Sequence, residues 1–134
     1  MMTDWNTLDR EPNLPALYAR AAVRRKITGT TLPGTGLRCW VDVDAKPLAE
    51  YRRVCGFVDS GLLPPTYPHI LAFALQMQLL TDKAFPFPLL GLIHLSNRIR
   101  VFRPMGGVSR VRVSVQVENL QPHAKGATFD LVTT

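Results

Sequence analysis

The chain has 134 residues, 46% of them hydrophobic and 19% charged, which is the composition of one ordinary globular domain with a core and argues against disorder. Its formal net charge of +6 favours an anionic partner. Yet the basic residues are scattered, with only Arg24, Arg25 and Lys26 consecutive, and no nucleic-acid-binding motif accompanies them.

No apolar run reaches the roughly 18 residues that would suggest a membrane span. The N-terminal stretch MMTDWNTLDREPNLP carries acids and prolines where a secretory leader needs a basic and then an apolar region. The expectation is a cytoplasmic protein with neither nucleic acid nor membrane as partner.

Residues 1–35 mix prolines and glycines with a short helical stretch, PALYARAAVRRK, and end in the turn-rich TGTTLPGTG, so they are expected as a lead-in segment. LRCWVDVDA (37–45) alternates, with Leu37, Cys39, Val41 and Val43 on one face, and predicts a half-buried strand. PLAEYRRVCGF (47–57) then places Leu48, Tyr51, Arg52 and Cys55 at helical spacing, with Pro47 near the first turn and Gly56 where a helix stops. The two cysteines, Cys39 and Cys55, have no metal-ligand spacing around them, and both are expected as reduced, buried thiols.

GLLPPTYPHILAFALQMQLLTD (61–82) is the most apolar part of the chain. Pro64 and Pro65 fix an extended approach, and Pro68 suits the first helical position, where its missing N–H is no loss. From Ile70 to Leu80 only Gln76 and Gln78 interrupt the apolar run, so this helix is expected to be surrounded by protein. KAFPFP ends it, and the period then changes. LLGLIHLSNRIRVFRP (89–104) and GVSRVRVSVQVENL (107–120) are expected as strands, the second with Val111, Val113, Val115 and Val117 on one side. HAKGATFDLVTT (123–134) is a third, with Phe129 and Leu131 alternating against Thr128 and Asp130. Pro104 with Gly106 and Gly107, and Gln121 with Pro122, are expected as the turns between them. The fold class is therefore α+β, an antiparallel sheet wrapped around a long central apolar helix, over residues 36–134.

This order of elements resembles the hot-dog fold, and more narrowly the MaoC-like acyl dehydratases, relatives of the (R)-specific enoyl-CoA hydratases. Three stretches carry the resemblance, which runs from about residue 37 to 134. YRRVCG (51–56) is similar to the family's Y-A-x-x-S-G, TYPHILAF (66–73) to its A-H-G-M at the head of the helix, and IRVFRPMGGVSRVRVSV (99–115) to its F-x-x-P-x-x-x-G strand, turn and strand. In that family the helix N-terminus faces the thioester carbonyl and stabilises the enolate-like state. The resemblance implies that the His69 and Ile70 amides open onto an acyl pocket, with Tyr67 beside them, although Ile70 stands where the family usually has glycine.

The family's acid and base come from D-x-N-P-x-H after the tyrosine helix, because hydration of an enoyl thioester needs proton transfer at two carbons. Here GFVDSGLLPPTYPH (56–69) holds Asp59 without Asn-Pro or a histidine at that spacing, and Asp59 reads better as a turn residue in Asp-Ser-Gly. His94, in a strand, is expected as a packed residue and His123 as a solvated one, so no catalytic residue is assigned. Arg98, Arg100 and Arg103 alternate along one strand and form a ladder that could meet coenzyme A phosphates.

The resemblance is greatest to the N-terminal, non-catalytic half of a double hot-dog protein. ATFDLVTT stopping inside a strand pattern fits the same picture, so the chain is expected to be half of a protein about twice as long. The implied function is a 3-hydroxyacyl-thioester dehydratase or enoyl-CoA hydratase module in which this half shapes the acyl pocket and is inactive alone. The implied substrate is an acyl-CoA or acyl-carrier-protein thioester, with no cofactor and no metal, and the implied partner is a second hot-dog unit, its own C-terminal half or a second copy. Two alternatives stand beside it: a non-catalytic acyl-CoA or lipid-binding homodimer, and an acyl-CoA thioesterase. The last needs a carboxylate along or near the central helix, and residues 70–80 offer none.

Overall fold

In the computed structural model, which describes residues 3–134, the chain orders its elements β1 (Asp4–Leu8), α1 (Leu14–Val23), β2 (Thr35–Asp42), α2 (Ala45–Cys55), α3 (Tyr67–Leu80), β3 (Arg110–His123) and β4 (Gly126–Thr133). They build one four-stranded sheet in the order β1-β2-β3-β4. β2, β3 and β4 are antiparallel, whereas β1 lies parallel to β2, with α1 in the connection between them.

The valines of β3 show why the sheet has a dry face. Val113, Val115 and Val117 are buried, as are Cys39 and Val41 of β2, and these side chains meet Ala72, Leu75, Leu79 and Leu80 of α3. A helix apolar on most sides needs protein on most sides, and α3 finds it in β2, β3, β4 and α1. The arrangement is the hot-dog one, a sheet packed around a central helix. Leu75, only 2% exposed, is typical: truncation to alanine at such a site costs about 2–5 kcal/mol.

Local chemistry sets the ends of the helices. Asn13 caps α1 by accepting from the Ala16 N–H at 3.1 Å. Gly56 ends α2 at φ +76°, a left-handed conformation that glycine adopts without strain. At α3 the Tyr67 N–H donates to the Pro64 carbonyl at 3.0 Å, and Pro68 takes the second helical position rather than the first. Thr81 closes α3, its hydroxyl donating to the Met77 carbonyl at 2.7 Å and accepting from Arg20 Nη2 at 2.7 Å. Arg24 donates to the carbonyls of Asp82, at 3.0 Å, and Phe85. These two arginines tie α1 to the end of α3, and Phe85, fully buried, packs edge-on against Phe87 and Phe129.

Four expectations are corrected. Residues 89–104 are not a strand: Leu89–Gly91 is one turn of 3-10 helix, and residues 92–101 join no sheet. Their alternation is real, but no neighbouring strand takes up their N–H and C=O groups. Gln121 and Pro122 do not form a turn, because β3 continues to His123 across an irregularity at Glu118–Gln121 where Asn119 has φ 59°. Cys55 is exposed, since it falls on the outer face at the end of α2; Cys39 is buried, and burial first, then Glu11, pushes its thiol pKa up. His94 is exposed rather than packed, its Nε2 2.8 Å from the Ser96 carbonyl.

The lead-in also contributes more than a lead-in. Asp4–Leu8 forms the edge strand β1, a strand its sequence does not announce. It sits close because Gly36 has no side chain: a Cβ there would come within 2.5 Å of the Trp5 ring. The Arg38 guanidinium then covers that ring at 4.4 Å.

Candidate functional site at the head of the central helix

The head of α3 presents two different faces. Tyr67 points inward, 3% exposed, its ring 5.0 Å from Tyr51, which in turn stacks on Phe57 at 6.0 Å. The Tyr51 hydroxyl bonds the Thr66 hydroxyl, joining α2 to the residue that caps α3. Burial chiefly, with Asp44 next, raises the Tyr67 phenol above its ordinary pKa.

Arg52 holds the loop before α3. Its Nη2 donates to the Leu62 carbonyl at 2.7 Å, and its Nη1 lies 3.7 Å from Asp59. Asp59 accepts from the Gly61 N–H at 3.0 Å, which is the turn expected of Asp-Ser-Gly. Asp59 is therefore a loop-forming residue here.

The other face opens outward. His69, Ile70, Phe73 and Ala74 follow one another at helical spacing and, with Leu14 and Glu11, line an open cleft of about 410 Å³. Its walls are mostly hydrocarbon. The His69 amide is already given to the Thr66 carbonyl at 3.2 Å, and the Ile70 side chain is 49% exposed at the mouth. The His69 ring meets a residue two turns further along the helix, its Nδ1 3.4 Å from Gln76 Nε2, and Gln76, buried, donates to Thr133 Oγ1 at 2.9 Å. With Nδ1 placed as an acceptor, the ring proton of neutral His69 is assigned to Nε2.

Glu11 is the acidic group on this cleft. The residue as a whole is exposed, but its carboxyl is partly withdrawn from water, and that burial, helped by Asp42 and Asp44, pushes its pKa above the ordinary 4.5. Sequence reasoning missed it, because nothing local marks a residue in a loop between β1 and α1 as the neighbour of His69. Phe73 and Ala74 were findable, each lying four residues after a residue already singled out.

Of the five residues singled out in the sequence, the structure brings His69 and Ile70 together on the cleft. Tyr67 is buried against Tyr51 and does not line the cleft. Arg98 and Arg100 lie on the exposed segment after α3 and do not line the cleft, the Arg100 guanidinium resting 6.0 Å from its neighbour Phe102. Among the described residues no helix is long and apolar enough to cross a membrane.

A hot-dog sheet around an apolar helix, with TYPHILAF at the helix head and an apolar cleft beside it, is the arrangement that the resemblance to the MaoC-like acyl dehydratases implies. Comparison with curated proteins finds a dehydratase similar to the chain. The chain is 40% identical over 91 residues to 3-hydroxyacyl-thioester dehydratase X of Mycobacterium tuberculosis (strain ATCC 25618 / H37Rv), a match covering 68% of this chain and 32% of that protein. The chain thus spans about a third of the length of the curated relative it matches. No family model matches the chain, and no solved structure matches it.

Proposed function

We propose that this chain is the acyl-pocket half of a MaoC-like 3-hydroxyacyl-thioester dehydratase, with the acid and base supplied by a second hot-dog unit. The observation that carries this reading is the apolar cleft at the head of α3 in a chain 40% identical to a 3-hydroxyacyl-thioester dehydratase. Ile70, Phe73, Ala74 and Leu14 offer hydrocarbon to an acyl chain, and His69 Nε2 offers a donor near the thioester. Arg98 and Arg100 supply positive charge for the carrier's phosphates. Dehydration removes a proton from the α-carbon and protonates the leaving β-hydroxyl, and the cleft pairs no carboxylate with a histidine in the spacing D-x-N-P-x-H would give. Binding without turnover is therefore the expected behaviour of this half.

The test combines binding and turnover. Calorimetric titration with crotonyl-CoA should show binding that Ala74→Trp, which fills the cleft, abolishes. Hydration followed by loss of the enoyl-thioester absorbance should be absent for this chain alone. Binding unaffected by Ala74→Trp would overturn the cleft assignment, and hydration by the isolated chain would overturn the half-module reading. Release of free coenzyme A would instead identify a thioesterase.

A further inference from the structure

Glu11 reaches the cleft from a segment that is fixed on both sides. Before it, β1 is paired to β2 as far as Leu8, opposite Cys39. After it, Pro12 restricts the backbone and Asn13 caps α1, which Arg20 and Arg24 tie to the end of α3. Glu11 and Leu14, at the first position of α1, therefore enter the wall of the cleft together.

The surroundings leave this carboxylate as an acceptor whose donor must come from a ligand. Burial first, then Asp42 and Asp44, raises its pKa, and no neighbouring cation lowers it. Among the described residues it belongs to no ion pair. The cleft thus carries one donor, His69 Nε2, and one acceptor, the Glu11 carboxylate, on walls that are otherwise hydrocarbon from Leu14, Ile70, Phe73 and Ala74. A 3-hydroxyacyl thioester is complementary to this set group by group. Its carbonyl accepts, its hydroxyl two carbons further on donates, and its tail is apolar. Phe73 and Ala74, about one turn beyond His69 on α3, lie where that tail would run.

Resting on the acyl-pocket reading above, we propose that Glu11 is the residue by which the cleft selects 3-hydroxyacyl thioesters over acyl thioesters without the hydroxyl. Its carboxylate accepts from the 3-hydroxyl while His69 Nε2 donates to the thioester carbonyl. A hydrogen bond to an ionised acceptor is stronger than one between neutral groups, and mostly apolar walls strengthen it further. The analogue lacking the hydroxyl is disfavoured by the same group, because it displaces water from the carboxylate and returns no donor.

Calorimetric titration of the unaltered chain with butyryl-CoA and with each enantiomer of 3-hydroxybutyryl-CoA tests this. One enantiomer should bind about tenfold more tightly than butyryl-CoA. Glu11→Leu, of similar volume and without an acceptor, should bring the two ligands to within about twofold and leave butyryl-CoA bound at least as tightly as before. Glu11→Gln, whose amide oxygen still accepts, should keep part of the preference, and circular dichroism checks the fold of both variants. Equal affinities in the unaltered chain, or a preference that survives Glu11→Leu, overturn the assignment of Glu11 while acyl binding at the cleft stands. If neither ligand binds, the acyl-pocket reading fails and this proposal fails with it.

Discussion

Two stretches of this chain carry the same alternation and meet opposite environments. In β3, Val113, Val115 and Val117 are no more than 8% exposed, closed off by α3 on one face and by β2 and β4 along the edges. In residues 92–103, Ile93 is 81% exposed and Phe102 87%. Alternation says that a strand would have two unlike faces. It does not say that a neighbour is present to take up the backbone, and that neighbour is what turns a period into a strand.

The sharpest way to break the comparison is to place one charge in each stretch. Val115→Asp buries an unpaired carboxylate against α3 and is expected to cost about 4–5 kcal/mol, enough to unfold a marginal domain. Ile93→Asp, the same kind of change in the unpaired stretch, should stay within about 0.5 kcal/mol. Urea denaturation followed by circular dichroism measures both. Equal effects would mean that residues 92–103 are packed in solution.

Legibility in the sequence follows the same division. The faces of β2, β3 and β4 and the enclosure of α3 were readable, because each element's period is written in its own residues: Cys39 and Val41, Val113 and Val115, Phe129 and Leu131 against Asp130. The end of α2 was readable from Gly56 and the start of α3, to within one residue, from Pro68, because their backbone preferences are local. What could not be read depends on partners distant in sequence. β1 is DWNTL, with little strand character of its own, and it is a strand because Gly36 lets Trp5 lie against β2. At the candidate site, His69 and Ile70 were legible from the helix head, whereas Glu11 joins them only through the fold. Tyr67 had an equal claim from spacing, but its packing against Tyr51, a partner distant in sequence, buries it away from the cleft.

A second comparison reverses the first, setting a polar group inside α3 against apolar groups outside the sheet. Gln76 is buried at 4% exposure and spends its amide on Thr133 at 2.9 Å and on the His69 ring at 3.4 Å. Gln76→Leu keeps the volume and removes both contacts. The expected loss is about 1 kcal/mol, since Thr133 is only half-buried and its hydroxyl can turn to water. His69 Nδ1 is released at the same time, so crotonyl-CoA affinity should fall as well. A stability loss with affinity intact would show that Gln76 braces β4 and leaves the His69 ring unguided.

The smallest effect concerns Glu11, the charge on the cleft rim. Burial, with Asp42 and Asp44, holds its pKa above 4.5, so the folded chain binds this proton more tightly than the unfolded chain does. The sign follows directly. Between 4.5 and the raised folded value, the folded state carries more proton, so stability falls as pH rises through that window and stays lower at neutral pH. Glu11→Gln removes the penalty. Its melting temperature should lie slightly above that of the unaltered chain at pH 7 and converge with it in acid, where the glutamate is protonated in both states. A lower melting temperature at pH 7 would reverse the assignment, because it would mean that the charged carboxylate is held by a partner and that the cleft rim is polar where its walls are not.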